Sequence, residues 1–509
     1  MKPSRQTSFS ILMIIGNLLP MLLFSTMAFA AKVTLDPESW GSAEGKACID
    51  CHSKSSAGLT HQWKNSAHAQ ANVNCLDCHQ AYEDDVDAIE HEGSVIATIV
   101  SPKDCGRCHE TELKQQQGSV HTQALSIIKN RMPALSEHFG SPTINDAGCA
   151  KCHGSKVLVR GDGTLDPATW PNSGIGRINP DGSKGSCSSC HGRHQFSKAQ
   201  AREPSACIYC HSGPDSPDKE IYVTSKHGMM YEAHKGEMNM GSDQWVAGKD
   251  YSAAPTCVTC HMGAAGKMKS NHDVGMRDSW NLNAAVSEQQ YLVIFEDGSK
   301  RELSTSEPLP RKGESISKLD GGMGKVKAVA SPKRRRQAMT STCLECHSKG
   351  FANNAMQQFD NVVELFNKKY GKPAQAIMQE LYSEKVLTPL PFDEPVEITY
   401  WRLWHNSGAL ARHGAAMTSP SMTWKGMNEV GNDFYGKFLG QVRNAAGKER
   451  GDALIKKYVN DSEHHDWLNH PDKANPILGF GKGKDEGTSV NESEDVVENS
   501  GEERANEDQ

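Results

Sequence analysis

Three copies of the pattern Cys-x-x-Cys-His follow one another between residues 148 and 211: Cys149-Ala-Lys-Cys152-His153, Cys187-Ser-Ser-Cys190-His191 and Cys207-Ile-Tyr-Cys210-His211. Two thiols at this spacing can add to the two vinyl groups of one porphyrin, and the adjoining imidazole is then held against the iron. Each copy is therefore predicted to attach one haem c. Residues 170–186, between the first two copies, are rich in Gly, Pro and Asn, which predicts a loop moulded round a haem.

The same pattern occurs five more times in the 509 residues, and the eight copies use all sixteen cysteines. A structural zinc site needs no fixed His after each cysteine pair, and neither does a redox Cys-x-x-Cys pair. The sequence therefore predicts eight covalently attached haem c groups. Their thioether cysteines are Cys48, Cys51, Cys75, Cys78, Cys105, Cys108, Cys149, Cys152, Cys187, Cys190, Cys207, Cys210, Cys257, Cys260, Cys343 and Cys346, and their proximal iron ligands are His52, His79, His109, His153, His191, His211, His261 and His347.

Hydrophobic residues make up 37% of the chain and aromatic residues 6%, which is lean for this length, so haems are expected to fill much of the interior. We expect a mainly α multihaem cytochrome c in five parts. These are a signal peptide at 1–30, a part with seven motifs at 31–284, a small β-hairpin and linker at 285–337, the eighth motif with a C-terminal helical bundle at 338–475, and a disordered acidic tail at 476–509.

The first thirty residues have the features of an export signal. Lys2 and Arg5 precede an apolar run at 9–24, and Ala28-Phe29-Ala30 is a small-x-small cleavage site. This predicts a periplasmic protein, in agreement with haem c attachment outside the cytoplasm. Loss of the two cations takes the formal charge from -7 to about -9, so nucleic acid is not an expected partner. Beyond residue 30 no apolar run approaches the roughly 20 residues that span a bilayer, so a membrane-spanning protein is not expected.

Residues 285–337 have a different pattern. Tyr291-Leu-Val-Ile-Phe295 and Lys300-Arg-Glu-Leu303 flank Asp297-Gly298, which predicts a hairpin with a tight turn followed by a Gly/Lys/Pro-rich linker. The basic run at 333–336 could bind haem propionates or a redox partner, but a solvated helix start is the preferred interpretation. Helical periodicity begins at residue 353, and further helices are predicted at 374–387, 394–405 and 432–446.

Low-spin haems need a second axial ligand, and fourteen of the 22 histidines lie outside the motifs. If one haem is open, seven of the fourteen are needed. Local context selects His68, His91, His121, His194, His227, His405 and His413, and for each of them the alternative is a surface histidine. We leave six others as surface or core residues: His61, His138, His234, His464, His465 and His470.

His272 and Asp273 place an imidazole beside a carboxylate, which is the pairing needed to move protons to or from a substrate on an iron. They are the predicted catalytic residues. The alternative is that His272 is a sixth iron ligand hydrogen-bonded to the neighbouring Asp273.

The order of the motifs and several surrounding segments resemble those of octahaem hydroxylamine oxidoreductases from about residue 45 to 445. The segments are 170–183, Ser225-Lys-His-Gly228, His272-Asp-Val-Gly275, Cys346-His-Ser-Lys-Gly350 and the run from Trp404-His to Ala411-Arg-His-Gly414. The resemblance implies that the fourth haem, on Cys149, Cys152 and His153, is catalytic and five-coordinate, with His272 near its open face. It also implies two histidine ligands at the other seven haems, and a homotrimer.

In oxidising members of that family, a Tyr from a neighbouring subunit is bonded to the catalytic porphyrin. The corresponding segment here is Ser419-Pro-Ser-Met422-Thr-Trp424, so Met422 stands where the Tyr is expected, and Tyr435 comes about a dozen residues later. Because macrocycle distortion tunes haem chemistry, an unmodified haem favours delivering electrons to substrate. The branch that lacks the crosslinking tyrosine is the better match.

The sequence thus favours a periplasmic reductase of nitrite, and also of hydroxylamine or NO, toward ammonium or hydroxylamine. A cytochrome or a quinol-linked donor is the expected redox partner. Two alternatives stay open at this point. One is hydroxylamine or hydrazine oxidation to NO or nitrite at the same haem, and the other is a non-catalytic electron-transfer cytochrome in which all eight irons are six-coordinate.

Overall fold

A computed structural model describes residues 43–131, 137–138, 140–214 and 216–470. The predicted signal peptide and the acidic tail at 476–509 lie outside these residues. The described chain is mainly helical, with one two-stranded and one four-stranded sheet, which confirms the predicted fold class. No helix of the described ranges combines the length and the apolar character that a bilayer crossing would require.

Between residues 43 and 284 the described chain consists of short helices and loops with one β-hairpin. The buried apolar clusters of this part are small, such as the one formed by Ile49, Trp63 and Ala69. The predicted loop at 170–186 contains only turns, bends and isolated bridges. The α-helices are Ala43–Ser55, Ala57–Lys64, Ala67–Gln70, Cys75–His79, Pro102–Gly106, Glu110–Gln117, Ala124–Arg131, Ser141–Ile144, Ala150–His153, Lys198–Arg202, Ser205–Ile208, Asp218–Thr224, Lys226–His234 and Cys257–His261. Shorter 3-10 or π turns cover Val120–Gln123, Asn145–Cys149, Cys187–Ser189, Lys235–Glu237 and Val274–Arg277.

Six strands form the two sheets. Strands β1 (Ala88–His91) and β2 (Ser94–Ala97) make an antiparallel hairpin. Strands β3 (Gln290–Phe295) and β4 (Lys300–Ser304) form the predicted hairpin, whose turn places Gly298 at a φ of 83°. The predicted linker after it is wrong in part, because β5 (Ser315–Ser317) and β6 (Met323–Ala330) extend the sheet to four antiparallel strands in the order β4-β3-β6-β5.

The basic run starts a helix, Pro332–Cys343, which the Ser331 side chain caps. Only the first half of the run is solvated. Arg335 is 1% exposed, pairs with Glu302 at 2.6 Å and donates to three backbone carbonyls. Arg336 pairs with Asp360 at 2.5 Å. The expectation of a solvated helix start is therefore wrong for these two side chains, because the sheet and the next helix cover them.

The C-terminal part is a helical bundle with the largest apolar cluster of the described chain, centred on Phe366, Leu381, Phe434 and Val442. The predicted helices are present, and three more occur that the sequence analysis did not predict: Gly408–Ala416, Pro420–Asp433 and Lys448–Ile455. The α-helices after the eighth motif are Lys349–Phe366, Lys372–Ser383, Pro395–Arg402, Gly408–Ala416, Pro420–Asp433, Leu439–Ala446 and Lys448–Ile455. Single π-type turns at Asn367–Gly371, Leu403–Ser407, Phe434–Phe438 and Lys456–Asn460 join several of them, and a 3-10 helix follows at Glu463–Asn469.

Candidate functional site

One turn of helix shapes the Cys-x-x-Cys-His motifs. In four of them the histidine N–H donates to the carbonyl of the first cysteine, at 2.9 Å for His109, 3.1 Å for His191, 3.0 Å for His211 and 2.8 Å for His347. Residues that are three and four positions apart on a helical turn share a face. Both thiols and the imidazole can therefore address one porphyrin.

Six histidines outside the motifs each face a motif histidine across a gap. The distances between ring centres are 6.1 Å for His52 and His91, 6.4 Å for His79 and His194, 6.1 Å for His109 and His68, 6.5 Å for His191 and His272, 6.2 Å for His211 and His121, and 6.2 Å for His347 and His227. Two imidazoles that bind one metal through bonds of about 2 Å place their ring centres about 6 Å apart. The pairs therefore fit an iron between the two rings.

The protonation of these rings also suits iron binding. Burial lowers the pKa of His121 to about 4, with nearby histidines acting in the same direction. Burial lowers the pKa of His191 to about 4 as well. A histidine must be neutral to bind a metal, so these environments favour the ligand form at neutral pH.

Three of the facing histidines share a local signal that the sequence carries. His68, His121 and His227 each lie two residues after a serine that caps a helix or 3-10 turn. The capping serines Ser66, Ser119 and Ser225 are each 1% exposed. An N-cap fixes where a helix begins, so Ser-x-His places the imidazole in the first turn.

Acceptors on the other side of several motif rings hold the imidazoles in place. The Nδ1 atom of His79 lies 2.9 Å from the Ala97 carbonyl oxygen, and that of His153 lies 3.2 Å from the Ala124 carbonyl oxygen. Such acceptors leave Nε2 for the metal and fix the ring orientation. The Nδ1 atoms of His211 and His261 lie 2.9 Å and 3.5 Å from the carboxylates of Asp218 and Asp278. Neither aspartate was singled out from the sequence.

Two of the predicted distal ligands occupy the C-terminal bundle. His405 lies between Trp401 and Trp404, at ring-centre distances of 4.8 and 5.2 Å. His413 directs Nδ1 to Asp218 at 2.9 Å, and its buried Nε2 has no hydrogen-bond partner. This is the arrangement that the motif histidines show, so His413 is the better placed of the two to bind an iron.

His272 occupies a different place from the one expected. Its ring is stacked opposite His191 of the fifth motif, and its backbone N–H donates to Gln115. The side chain of Asp273 is 5% exposed and pairs with Lys300 at 2.5 Å, and no hydrogen bond joins it to His272 among the described contacts. Burial raises the pKa of Asp273, while Lys300 opposes the shift. The geometry favours the alternative that the sequence left open, in which His272 is an iron ligand.

The motif cysteines connect the sites in space. Cys48 is within electrostatic range of Cys75, Cys78 of Cys105, Cys190 of Cys207 and Cys260 of Cys343. Direct side-chain contacts join Cys105 to Cys187 and Cys207 to Cys257. Seven motifs therefore follow one another in the order first, second, third, fifth, sixth, seventh, eighth. The fourth motif joins this line at the sixth, through a contact of Cys152 with Cys210.

The loop after the fourth motif packs closely against it. A Cβ on Gly174 would lie 2.1 Å from the Gly154 nitrogen, and one on Gly176 would lie 2.6 Å from the His153 carbonyl oxygen. Arg177 is 1% exposed and donates to Asn179 and to the Asn172 carbonyl. No carboxylate of the described residues forms an ion pair with it. Because a buried cation needs compensation, an anion is expected at this guanidinium.

The segment that should carry a crosslinking tyrosine begins the helix Pro420–Asp433. Met422 is half-buried, and a Cβ on Gly414, the residue after His413, would lie 3.1 Å from its backbone carbonyl carbon. Tyr435 packs inside the bundle of its own chain, with ring centres 6.0 Å from Tyr370 and 5.5 Å from Trp467.

Comparisons with known proteins agree with this arrangement. The family model described as "Seven times multi-haem cytochrome CxxCH" matches residues 181–302 and 327–394. The "Probable nitrite reductase-hydroxylamine oxidoreductase fusion protein" of Kuenenia stuttgartiensis is 27% identical over 390 residues, which make up 68% of this chain and 39% of the relative. The chain thus spans about two fifths of the length of this curated relative.

Two solved structures share the fold. A "Hypothetical multiheme protein" aligns with a TM-score of 0.67 and 24% identity, over 80% of this chain and 97% of that one. The "reducing HAO-like protein complex" of Kuenenia stuttgartiensis aligns with a TM-score of 0.56 and 19% identity, over 81% and 87%. Taken with the motifs and the facing histidines, these matches show a multihaem cytochrome c fold and a similarity to hydroxylamine oxidoreductase-like proteins.

Proposed function

We propose that this protein is a periplasmic octahaem oxidoreductase that reduces nitrite, and also hydroxylamine or NO, toward ammonium or hydroxylamine at the fourth motif. Full reduction of nitrite to ammonium takes up six electrons and eight protons and releases two water molecules. A haem c with one histidine ligand supplies an open iron position and single electrons. A cytochrome or quinol-linked donor would provide the electrons, and the family resemblance adds a homotrimer to the proposal.

The observation that carries the proposal is the line of seven motifs. Two direct cysteine contacts and four close cysteine pairs link the first motif to the eighth without the fourth. Electrons can therefore cross the protein while the fourth motif, attached at the sixth, serves another purpose. Delivery of electrons to a small molecule is such a purpose.

The residues around the fourth motif have definite tasks in this proposal. The Ala124 carbonyl accepts from Nδ1 of His153 and keeps Nε2 directed at the iron. Gly154, Gly174 and Gly176 let the loop close over the motif. Arg177 supplies a buried positive charge that suits nitrite or a haem propionate. His272 would bind the fifth haem opposite His191, and the Asp273 carboxylate would stay paired with Lys300.

The direction of the reaction is supported by Met422. A methionine cannot form the phenol link to the porphyrin that the oxidising family members use, so the haem should keep an unmodified macrocycle. The name of the curated relative includes a nitrite reductase, although that protein is longer than this chain. Hydroxylamine oxidation remains the outcome to exclude.

The test uses the purified holoprotein. The proposal expects eight haems per chain and a ferric high-spin component that shifts on addition of nitrite or cyanide. It also expects nitrite consumption driven by a reduced dye to exceed hydroxylamine oxidation. The variant His153→Ala should lose nitrite reduction, while His52→Ala, at the far end of the line, should keep it with a dye that donates directly. A wholly low-spin spectrum, or a tyrosine bonded to the porphyrin in a haem peptide, contradicts the proposal.

A further inference from the structure

One carboxylate faces two imidazoles from distant parts of the chain. Asp218 Oδ2 lies 2.9 Å from Nδ1 of His211, and Oδ1 lies 2.9 Å from Nδ1 of His413. Ser216 donates its hydroxyl to the same Oδ2 at 2.9 Å. Each carboxylate oxygen thus has its own imidazole, and the serine fixes the rotation of the group.

The two imidazoles have matching surroundings. The ring centre of His211 lies 6.2 Å from that of His121, as expected for two ligands of one iron. His413 has the same Nδ1 contact with Asp218, and its buried Nε2 has no hydrogen-bond partner. An imidazole held at Nδ1 by a carboxylate, with a buried free Nε2, is prepared to bind a metal.

The position of Asp218 indicates which iron His413 would bind. Asp218 is within electrostatic range of Cys207 in the sixth motif and of Cys257 in the seventh. These two cysteines contact each other, so Asp218 lies where the sixth and seventh sites meet. Because His211 of the sixth motif already faces His121, His413 suits the iron of the seventh motif, opposite His261.

A further contact holds this geometry. Asp218 begins the helix Asp218–Thr224, and His413 lies on the helix Gly408–Ala416, which packs against it. At the other end of the first helix, the Thr224 hydroxyl lies 2.9 Å from that of Ser419, next to the second helix. The packing of these two helices thus holds the Asp218 carboxylate against His413 and prevents it from rotating into solvent.

We propose that Asp218 is a positioning residue shared by two haem sites, holding His211 as proximal ligand at the sixth iron and His413 as distal ligand at the seventh. The inference rests on the haem ligation in the proposed function. A carboxylate that accepts from Nδ1 raises the basicity of the imidazole and favours the ferric state. Asp218 therefore lowers the reduction potentials of two neighbouring haems together. Since the sixth site adjoins the fourth, the same charge strengthens the reductant that supplies the catalytic haem.

Asparagine at position 218 removes the charge and keeps the shape. Its amide can accept from one imidazole N–H through oxygen, but its NH2 group meets the second imidazole donor to donor. Both haems lose the negative charge, and one of them also loses its hydrogen bond. Glutamate at the same position keeps the charge and serves as the conservative variant.

The experiment is a spectroelectrochemical titration of the holoprotein, with haem content measured on the same samples. Asp218→Asn should retain eight haems and move two components of the titration to more positive potential. Asp218→Glu should restore at least one of them. The matched control is Asp278→Asn, whose carboxylate lies 3.5 Å from a single motif histidine, His261, so one component should move. His413→Ala should convert one haem from low to high spin.

The inference is overturned if Asp218→Asn titrates like the unaltered protein, or if only one component moves and His413→Ala leaves the spin state unchanged. Its failure is separable from failure of the proposed function. If nitrite is reduced at the fourth haem but Asp218→Asn moves no potential, only the inference fails. If two potentials move while nitrite is not consumed, only the proposed substrate fails.

Discussion

Replacing His272 by alanine separates its two possible roles. The ring of His272 lies 6.5 Å from that of His191, so its removal should leave the fifth haem with one strong ligand. About one eighth of the haem should then become high-spin. Nitrite turnover should fall only to the extent that electron transfer through the fifth haem becomes slower. A proton donor at the substrate would instead contribute about 10²–10⁴-fold to the rate.

The assay combines the ferric absorption or EPR spectrum with dye-driven nitrite consumption. His227→Ala is the matched control, because His227 faces His347 at 6.2 Å in the same manner. Both variants should gain the same amount of high-spin haem. The reasoning is refuted if His272→Ala keeps a fully low-spin fifth haem while nitrite turnover collapses, since His272 would then act on protons.

Three further changes test the surroundings of the sites. Gly174→Ala should prevent correct closure of the loop on the fourth motif, because a Cβ would lie 2.1 Å from the Gly154 nitrogen, and loss of nitrite turnover and of the high-spin signal would report it. Arg335→Met should lower the free energy of unfolding by about 3 kcal/mol, measured by chemical denaturation, because three carbonyls and the Glu302 carboxylate lose their donor. Burial lowers the pKa of His465 to about 4, so its neutral form stabilises the fold above pH 6.5 and this contribution is lost as the pH falls toward 4. His465→Phe should remove about 3 kcal/mol of acid sensitivity over that range, seen in unfolding curves measured against pH.

Each of these changes has a matched control in the chain. Gly161→Ala meets no atom within 4 Å and should leave the fourth site intact. Lys333→Met, on the exposed side of the helix that carries Arg335, should leave stability nearly unchanged. His464→Phe tests the neighbour of His465 and should retain the acid-sensitive step. Equal effects of a variant and its control would contradict the corresponding reasoning.

The features that the sequence predicts best are those that five neighbouring residues determine, as in the Cys-x-x-Cys-His motif. The motif contains both thiols, the imidazole and the helical turn that aligns them, so haem attachment can be predicted without knowing any distant residue. The facing histidines His68, His121 and His227 are also local in part, because a serine cap precedes each of them. These features could be predicted without the fold.

Other features depend on chain segments that only the fold brings together. A carboxylate at the start of a short helix looks like a solvated acid until the bundle places His413 against Asp218, 195 positions away. His272 beside Asp273 suggested a proton pair, but Lys300 on β4 takes the carboxylate and His191 faces the imidazole. Strand β6 was missed because its glycine and lysines resemble a linker, while its pairing with β3 makes it a strand.

The six facing histidine pairs also bear on how the protein matures. The two histidines of most pairs are far apart in the sequence. Each iron, once bound, therefore links two distant segments of backbone and restricts the unfolded chain as a crosslink does. Since the described residues before 285 form only small apolar clusters, much of the stability of this part should come from the iron–histidine bonds. Chains that receive their haems late should therefore remain open to proteases, and a competing strong iron ligand such as cyanide should loosen this part before the C-terminal bundle.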